Sequence, residues 1–411
     1  MPKLVVQKFG GSSVATVDRI KKIAQKVVKT HKSGANVVVV VSALGDTTDN
    51  LISLAHQIDL SPNEREMDML ISTGEQVSVS LLAMAIHKLG KEAVSLTGAQ
   101  VGIFTDSVHT KARIIDIHTK RIKEELKNKR IVIVAGFQGV SSDANITTLG
   151  RGGSDLTAVA LAKALKADVC EIYTDVKGVY TADPRIVLNA RKISVISYDE
   201  MLELASLGAQ IMQSRSIEVA KKFKIPLHVR SSFSNCEGTR IIKEVKMMEG
   251  VLVSGVAINK NEAKVTICDV PDKPGVAALI FKSIADANIN IDMIVQNISR
   301  TGFTDISFTV DKIDLNKATK VIKSLISKVK AGDVLQDKDI AKISIVGVGM
   351  KSHSGVAAKM FGSLGKAKIN IEMISTSEIK VSCVIRKGKG QQALKILHKE
   401  FGLGKKLSSK K

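Results

Sequence analysis

Three glycine-rich loops carry the side chains best suited to chemistry. The first, Lys8-Phe9-Gly10-Gly11-Ser12-Ser13, follows an apolar run and precedes a helix-patterned segment. Glycines there let the backbone approach a ligand closely, and a helix start offers unpaired N–H groups to an anion. A lysine at the end of the preceding strand reaches the same phosphates as a point charge. The spacing fits neither GxxxxGKS/T nor GxGxxG, so the common nucleotide motifs are excluded.

The second loop is Thr147-Thr148-Leu149-Gly150-Arg151-Gly152-Gly153-Ser154-Asp155. Ser154 or Asp155 suits a helix cap, but an arginine inside a glycine triplet has no capping role. A second strand–loop–helix anion site facing the first makes a bisubstrate phosphate site. The third loop, Tyr173-Thr174-Asp175 through Tyr180 to Arg185, is polar and stiffened by Pro184. It suits a nucleotide's base and ribose, although an Asp-Pro turn alone is commonplace. Two further stretches fit an acceptor. Ser42 to Thr48 leaves the C-terminal end of a buried strand, where open α/β sheets place ligands. Ser72-Thr73-Gly74-Glu75-Gln76 opens a helix, where Glu75 either pairs an amino group or supplies first-turn charge.

No Ser-His-Asp set or metal-ligand spacing emerges, and the eight histidines are expected on the solvated surface. That pattern is compatible with phosphoryl transfer, where positioning and charge neutralisation dominate. A carboxylate acceptor is already ionised at pH 7 and needs no general base.

The elements that must position these loops are legible from their periodicity. Leu4–Gln7, Val37–Val41, Ile131–Ala135, Ile172–Thr174 and Leu227–Arg230 read as strands, several covered on both faces. Ala15–Thr30 and Glu75–Leu89 read as amphipathic helices between them, which argues for a layered α/β sheet. Beyond about residue 250 an internal repeat appears. Pro274–Ile294 and Ser354–Ile374 align without a gap at an offset of 80, with 12 of 21 positions identical. With strands at Lys264–Cys268 and Lys342–Val346, this predicts two modules of βαββαβ type.

Composition narrows the class further. The 411 residues carry 61 basic and 40 acidic side chains, a net charge of +21. Of the basic residues 48 are Lys and 13 Arg, dispersed except for Lys405, Lys406, Lys410 and Lys411. Trp is absent and aromatics total 3%, so stacking platforms for single strands are scarce. A solvated Lys-rich surface is expected rather than a nucleic-acid partner. The cysteines Cys170, Cys236, Cys268 and Cys383 form no CxxC pair, as suits reduced thiols in a cytoplasmic protein. Neither a signal peptide nor a membrane segment is expected.

The ordered motifs KFGGSSVA, VVVVVSALGDTTDNL, STGEQVS, GFQGV, TTLGRGGSDLTA, YTDVKGVYTADPR and IPLHVRSSF resemble those of aspartate kinases. The C-terminal repeats, including QNISRTGFTDISFTV and MKSHSGVAAKMF, are similar to the family's paired ACT domains. One departure is Ser12, where the family usually carries Thr; the hydroxyl survives. The resemblance is to the monofunctional aspartate kinases, and no dehydrogenase extension is expected.

The resemblance implies an amino-acid-kinase-type layered sheet domain over 1–246, then two ferredoxin-like ACT domains. These are expected over 264–335 and over 250–262 with 340–411, strand Val251–Ala257 completing the second. The implied reaction transfers the ATP γ-phosphoryl, with Mg²⁺, to the β-carboxylate of L-aspartate. Its product is 4-phospho-L-aspartate, the first step towards lysine, threonine and methionine. By motif match Lys8, Arg151 and Asp155 are the catalytic residues: Lys8 neutralises the phosphoryl, Arg151 clamps the aspartate carboxylate and Asp155 orients the site. Gly10, Gly11, Ser12, Thr174, Asp175, Tyr180 and Arg185 join Lys8 on the nucleotide. Ser42, Thr48, Glu75, Phe137 and Ser154 join Arg151 around the acceptor.

In the ACT part the family binds lysine or threonine between modules. Asp272, Gly275, Ala277 and Gln296 match effector positions of the first module, and Asn370 and Ile371 those of the facing second. A homo-oligomer is expected, and Met247 or Met248 is a candidate internal start for a shorter regulatory subunit. The alternatives are a kinase of glutamate, acetylglutamate or carbamate, and an amino-acid sensor with an inactive kinase half. The first does not account for STGE with tandem ACT modules, and Lys8, Arg151 and Asp155 argue against the second.

Overall fold

The computed structural model describes residues 3–207, 212–243, 253–297, 302–353 and 355–404. Met247, Met248 and the lysine-rich tail lie outside them. The chain forms two compact units. One comprises Met1–Val179, Lys192–Ala205 and Gln210–Lys246, the other Tyr180–Arg191, Ser206–Ala209 and Met247–Lys411.

The first unit is built on an eight-stranded sheet. Its order is Val195–Ser197, Thr239–Ile242, Leu227–Ser231, Val169–Thr174, Leu4–Phe9, Asn36–Val41, Ile131–Ala135 and Ala93–Leu96. All neighbours run parallel except Leu227–Ser231 with Thr239–Ile242. Val37–Val41 is wholly buried, as a β-branched run covered on both faces must be. Helix Val17–Lys32 starts two residues later than its periodicity implies, because the Thr16 hydroxyl caps it by accepting the Arg19 N–H. Its Ile20, Ile23, Ala24, Val27 and Val28 form the buried stripe. A smaller sheet pairs Ile114–Ile117, Ile103–Thr105, Gln138–Val140 and Ile146–Thr148 in that order.

One helical stretch among the described residues, Glu64–His87, has the length and apolar composition to cross a membrane. It is interrupted at Ser72, and Gly74, Glu75, Ser78, Val79, Leu82, Ala83 and Ile86 are buried inside the unit. It is a core helix by its packing.

The second unit holds two four-stranded antiparallel sheets. One orders Ile291–Gln296, Phe303–Asp311, Glu262–Pro271 and Val334–Asp337, with helices Val276–Asp286 and Leu315–Val329. The other orders Gly255–Asn259, Ile340–Val346, Lys380–Arg386 and Met373–Thr376, with helices Val356–Lys366 and Gly390–Glu400. Gly255–Asn259 thus lies outside the first repeat in space although it precedes it in sequence.

Tyr180–Arg191 departs from an unbroken 1–246 domain. Its Ala182 and Val187 are buried in one core with Val256, Ile343 and Leu394. The Thr181 carbonyl accepts the Val256 N–H at 2.8 Å. The histidines also depart from a uniformly solvated placement. His398, four residues after the buried Leu394, is 1% exposed, and its Nε2 lies 3.0 Å from the Thr181 hydroxyl. Burial, with Arg191 nearby, holds its pKa below the ordinary imidazole value.

Candidate functional site

The loops that follow Leu4–Phe9, Asn36–Val41, Ile131–Ala135 and Val169–Thr174 leave the C-terminal ends of adjacent parallel strands. Parallel pairing places those loops along one edge of the sheet, where such folds bind ligands. Backbone hydrogen bonds join them: Gly10 N–H to the Tyr173 carbonyl, Gly45 N–H to that of Gly11, Gly136 N–H to that of Val41.

Lys8 is the central charge. Its Nζ lies 2.6 Å from Asp155 Oδ1, with both side chains largely buried. The contact is ionic rather than a well-aligned hydrogen bond. Asp155 opens helix Gly153–Leu165 and accepts the Gln213 N–H on its other oxygen at 3.2 Å. The carboxylate is therefore fixed at a helix start and holds the ammonium near Gly10, where a β-carbon would come within 3.4 Å of Lys8 Nζ. Gly11 allows a different approach: a β-carbon there would stand 2.9 Å from the Ala43 carbonyl and 3.0 Å from that of Gly45. Ser12 is exposed, and its carbonyl accepts Arg19 Nη1 at 2.6 Å. The neighbouring Ser13 hydroxyl is buried against that of Ser232, 2.5 Å away.

Glu75 is the second buried ionisable group, 3% exposed in helix Thr73–His87. Its Oε1 accepts the Ala43 N–H at 3.2 Å, while Oε2 is buried with no hydrogen-bond partner. Burial pushes its carboxyl up to about 8, only partly opposed by that N–H. Burial favours the protonated carboxyl in the absence of a ligand, and a cationic or N–H ligand group beside Oε2 would favour the ionised form. Ser42 and Thr48 flank this loop, half-buried, and the Ser42 N–H donates to the Phe9 carbonyl at 3.1 Å.

The Ser154 side chain packs over Gly136, where a β-carbon would stand 2.7 Å away. Phe137, at φ 69°, donates its N–H to the Thr157 hydroxyl and accepts the Leu149 N–H. The two glycine-bearing loops are thereby tied to each other. Arg151 is not drawn into this cluster: its side chain is 94% exposed, with Asp49 Oδ1 3.7 Å away. Thr174 and Asp175 bond to each other at the end of Val169–Thr174. Tyr180 and Arg185 belong to the second unit, where Arg185 bonds Asp183 through its guanidinium and is 89% exposed in its side chain.

In the second unit Asp272 donates its N–H to the Gly302 carbonyl, and Gly275, at φ 92°, begins helix Val276–Asp286 with Ala277 in its first turn. Gln296 ends strand Ile291–Gln296, exposed. Asn370 and Ile371 lie just before Met373–Thr376.

Sequence reasoning missed Asp68. This wholly buried carboxylate accepts the Thr148 hydroxyl at 2.5 Å and the Thr110 N–H, and meets His109 Nδ1 at 2.7 Å. It braces the strand that feeds the Gly150–Gly153 loop. The available signal was an acid on the apolar face of Glu64–Ile71, beside Met67 and Ile71.

Comparison with known proteins agrees with this architecture. The amino acid kinase family matches residues 3–231, and an ACT domain matches 269–325 and 343–401. An aspartate kinase of Stutzerimonas stutzeri strain A1501 is 54% identical over 401 residues, 97% of either chain. The crystal structure of E. coli aspartokinase III with aspartate and ADP, in the R-state, superposes with a TM-score of 0.82 at 25% identity, covering 97% of this chain and 99% of that one. The same enzyme with lysine and aspartate, in the T-state, gives 0.73 at 26%, again over 97% and 99%. With a kinase-family sheet and two ACT modules shared along nearly its whole length, the chain belongs to the amino acid kinase family and, within it, to the aspartate kinases.

Proposed function

We propose that the first unit transfers the γ-phosphoryl of ATP to the β-carboxylate of L-aspartate, giving 4-phospho-L-aspartate. The observation that carries this reading is the pairing of two opposite needs on one sheet edge. The Lys8 ammonium stands at a glycine loop suited to phosphates, and the unpartnered Glu75 Oε2 is suited to an amino group. Ala43 links them, giving its N–H to Glu75 and its carbonyl surface to Gly11.

In this reading the aspartate ammonium meets Glu75, and Arg151 clamps a carboxylate of the acceptor from the exposed rim. Ser42, Thr48, Phe137 and Ser154 shape the pocket. The β-carboxylate oxygen attacks the γ-phosphorus as the bond to the bridging oxygen of ADP breaks, and no proton has to leave the nucleophile. Lys8 neutralises charge on the transferring group, with Asp155 fixing its position. Gly10, Gly11 and Ser12 cradle phosphates, while Thr174 and Asp175 serve the nucleotide side.

No group of three or more His, Cys, Asp or Glu among the described residues has the arrangement of a metal site. In this reading Mg²⁺ is carried on the nucleotide phosphates, its usual mode. When bound, it supplies further charge neutralisation at the phosphoryl oxygens.

The domain limits proposed are 1–246 for the kinase part, apart from Tyr180–Arg191, which packs in the second unit, with 264–335 for the first ACT domain, and 250–262 with 340–411 for the second. Asp272, Gly275, Ala277 and Gln296, with Asn370 and Ile371 of a facing module, are proposed to bind lysine, threonine or both. That mode of binding calls for a homo-oligomer through the ACT domains. Four free thiols suit a cytoplasmic protein. The test is a hydroxamate assay with ATP and aspartate, titrated with lysine and threonine separately and together. Aspartate-dependent hydroxamate is expected, with inhibition by at least one titration. Failure of aspartate as acceptor overturns the reading.

A further inference from the structure

Helix Val17–Lys32 turns two cations, Arg19 and Lys26, towards one short segment, residues 231–234. They stand seven residues apart in the sequence, two turns of helix, and so share a face. Lys26 Nζ donates to the carbonyls of Ser231 at 3.0 Å and Ser234 at 3.4 Å. The guanidinium carbon of Arg19 lies over the Phe233 ring, 5.0 Å from its centre, within cation–π reach. Arg19 Nη1 also donates to the Ser12 carbonyl at 2.6 Å. One half-buried side chain thus joins the first glycine loop to the segment that follows strand Leu227–Ser231.

That segment stands on the edge of the sheet where the site lies. Leu227–Ser231 runs parallel to Val169–Thr174, with Ser231 opposite Thr174. The Ser232 N–H donates to the Thr174 carbonyl at 2.8 Å, and its buried hydroxyl meets that of Ser13 at 2.5 Å. Residues 231–234 therefore have the end of Val169–Thr174 on one side and the glycine loop on the other. Phe233 is 48% exposed there, and the Ser231 hydroxyl accepts its N–H at 3.2 Å. A nucleotide reaching from the glycine loop to Thr174 has a fixed span between its phosphates and its sugar. The register of the two walls then decides whether the γ-phosphorus stands in line with the acceptor.

We propose that Arg19 is a positioning residue of the nucleotide site, holding the Gly10-Gly11-Ser12 turn in register with the wall formed at Phe233. It acts through Ser12 and Phe233 and not on the reacting atoms. The inference rests on the nucleotide reading of the glycine loop and Thr174 given above. The residue type matters, because a planar guanidinium donates from its edge to a carbonyl while its face lies over a ring. An ammonium keeps the charge and cannot do both at once.

The test is titration calorimetry of the full chain with ADP, beside steady-state kinetics with each substrate varied in turn. Arg19→Gln should weaken ADP binding and raise the KM for ATP, each roughly tenfold. The KM for aspartate and the urea unfolding midpoint should hardly move. Arg19→Lys should recover part of the loss, since it keeps a cation over the ring. Phe233→Leu should resemble Arg19→Gln, and the two together should lose less than the sum of the single effects. Should Arg19→Gln not fold, the ADP affinity of Phe233→Leu decides. Unchanged ADP affinity, a parallel rise of both KM values, or fully additive losses overturns the proposal. Aspartate failing as acceptor while ADP binding still depends on Arg19 would overturn the proposed reaction and leave this assignment standing.

Discussion

Asp292 and Glu372 occupy equivalent positions of the two C-terminal repeats, and each is held by the first-strand lysine of the other repeat. Lys342 pairs with Asp292, and Lys264 with Glu372. The apolar neighbours follow the same rule, since Met293 and Met373, also 80 residues apart, share one small core with Ile340 and Val384. The tandem modules therefore pack through an exchanged, pseudo-twofold arrangement, as two copies of one ancestral module would in a symmetric dimer.

That exchange has a measurable energy. Lys264 and Glu372 are largely buried side chains, and Arg386 Nε also lies 2.9 Å from Glu372. Removing one partner leaves a buried charge, so Glu372→Ala and Lys264→Ala should each destabilise the second unit. A double-mutant cycle by urea unfolding should return a coupling of roughly 1–3 kcal/mol. A coupling near zero would show that the pairs accompany the packing without contributing to it.

Lys8→Ala should reduce kcat by about 10²–10³ or more, the loss typical of a preorganised charge in a water-poor site. Asp155 would then be a buried carboxylate without its cation, so Lys8→Ala should be compared with Lys8→Met/Asp155→Asn, which removes both charges. Effector binding should persist in the single variant, because Lys8 and the effector positions lie in different units. Normal turnover in Lys8→Ala would overturn the assignment of the active site.

Local pattern made the loops and strands legible. Val37–Val41 could only be a covered strand, and the glycines around Lys8 and Arg151 mark loops by their own conformational freedom. What joins those loops was not legible, because Lys8 and Asp155 or Ala43 and Glu75 meet only through tertiary packing. Polar residues hid best. In Ile340–Val346 the alternation of Lys342 and Ser344 looks like a solvent face, yet every residue of the strand is buried. Ser344 meets Ser382, and Lys342 meets carboxylates from the other module. Asp68 and His398 hid for the same reason: a buried polar group satisfied from far along the chain resembles a surface one in sequence. Tyr180–Arg191 reads as a continuation of the nucleotide loop, and only its packing assigns it to the second unit.

Gln296 ends an edge strand and is exposed, so its substitution should leave the core of its module intact. Gln296→Ala should raise the inhibition constant for the effector roughly tenfold while kcat without effector stays unchanged. Steady-state kinetics across a lysine and a threonine titration measure both. An unchanged inhibition constant would remove Gln296 from the effector site.

Glu75 makes stability and substrate affinity depend on pH in opposite senses. In the unfolded chain its carboxyl ionises near about 4.3, whereas burial in the folded chain raises it to about 8. Below the lower value both states hold the proton and the folded state keeps its full stability. Between the two values the unfolded state sheds the proton and the folded state retains it, so stability falls as pH rises, by up to about 1.4 kcal/mol per unit. Glu75→Gln carries no such proton, and its stability advantage over the native chain should grow from pH 5 to pH 8 in urea unfolding without ligand. An aspartate ammonium binds the ionised form better, so the KM for aspartate should fall as pH rises towards about 8 in the native enzyme. In Glu75→Gln it should be higher and lose that dependence. Parallel stability curves for the two chains, or equal pH dependence of their KM values, would show that the buried oxygen is not the amino-group site.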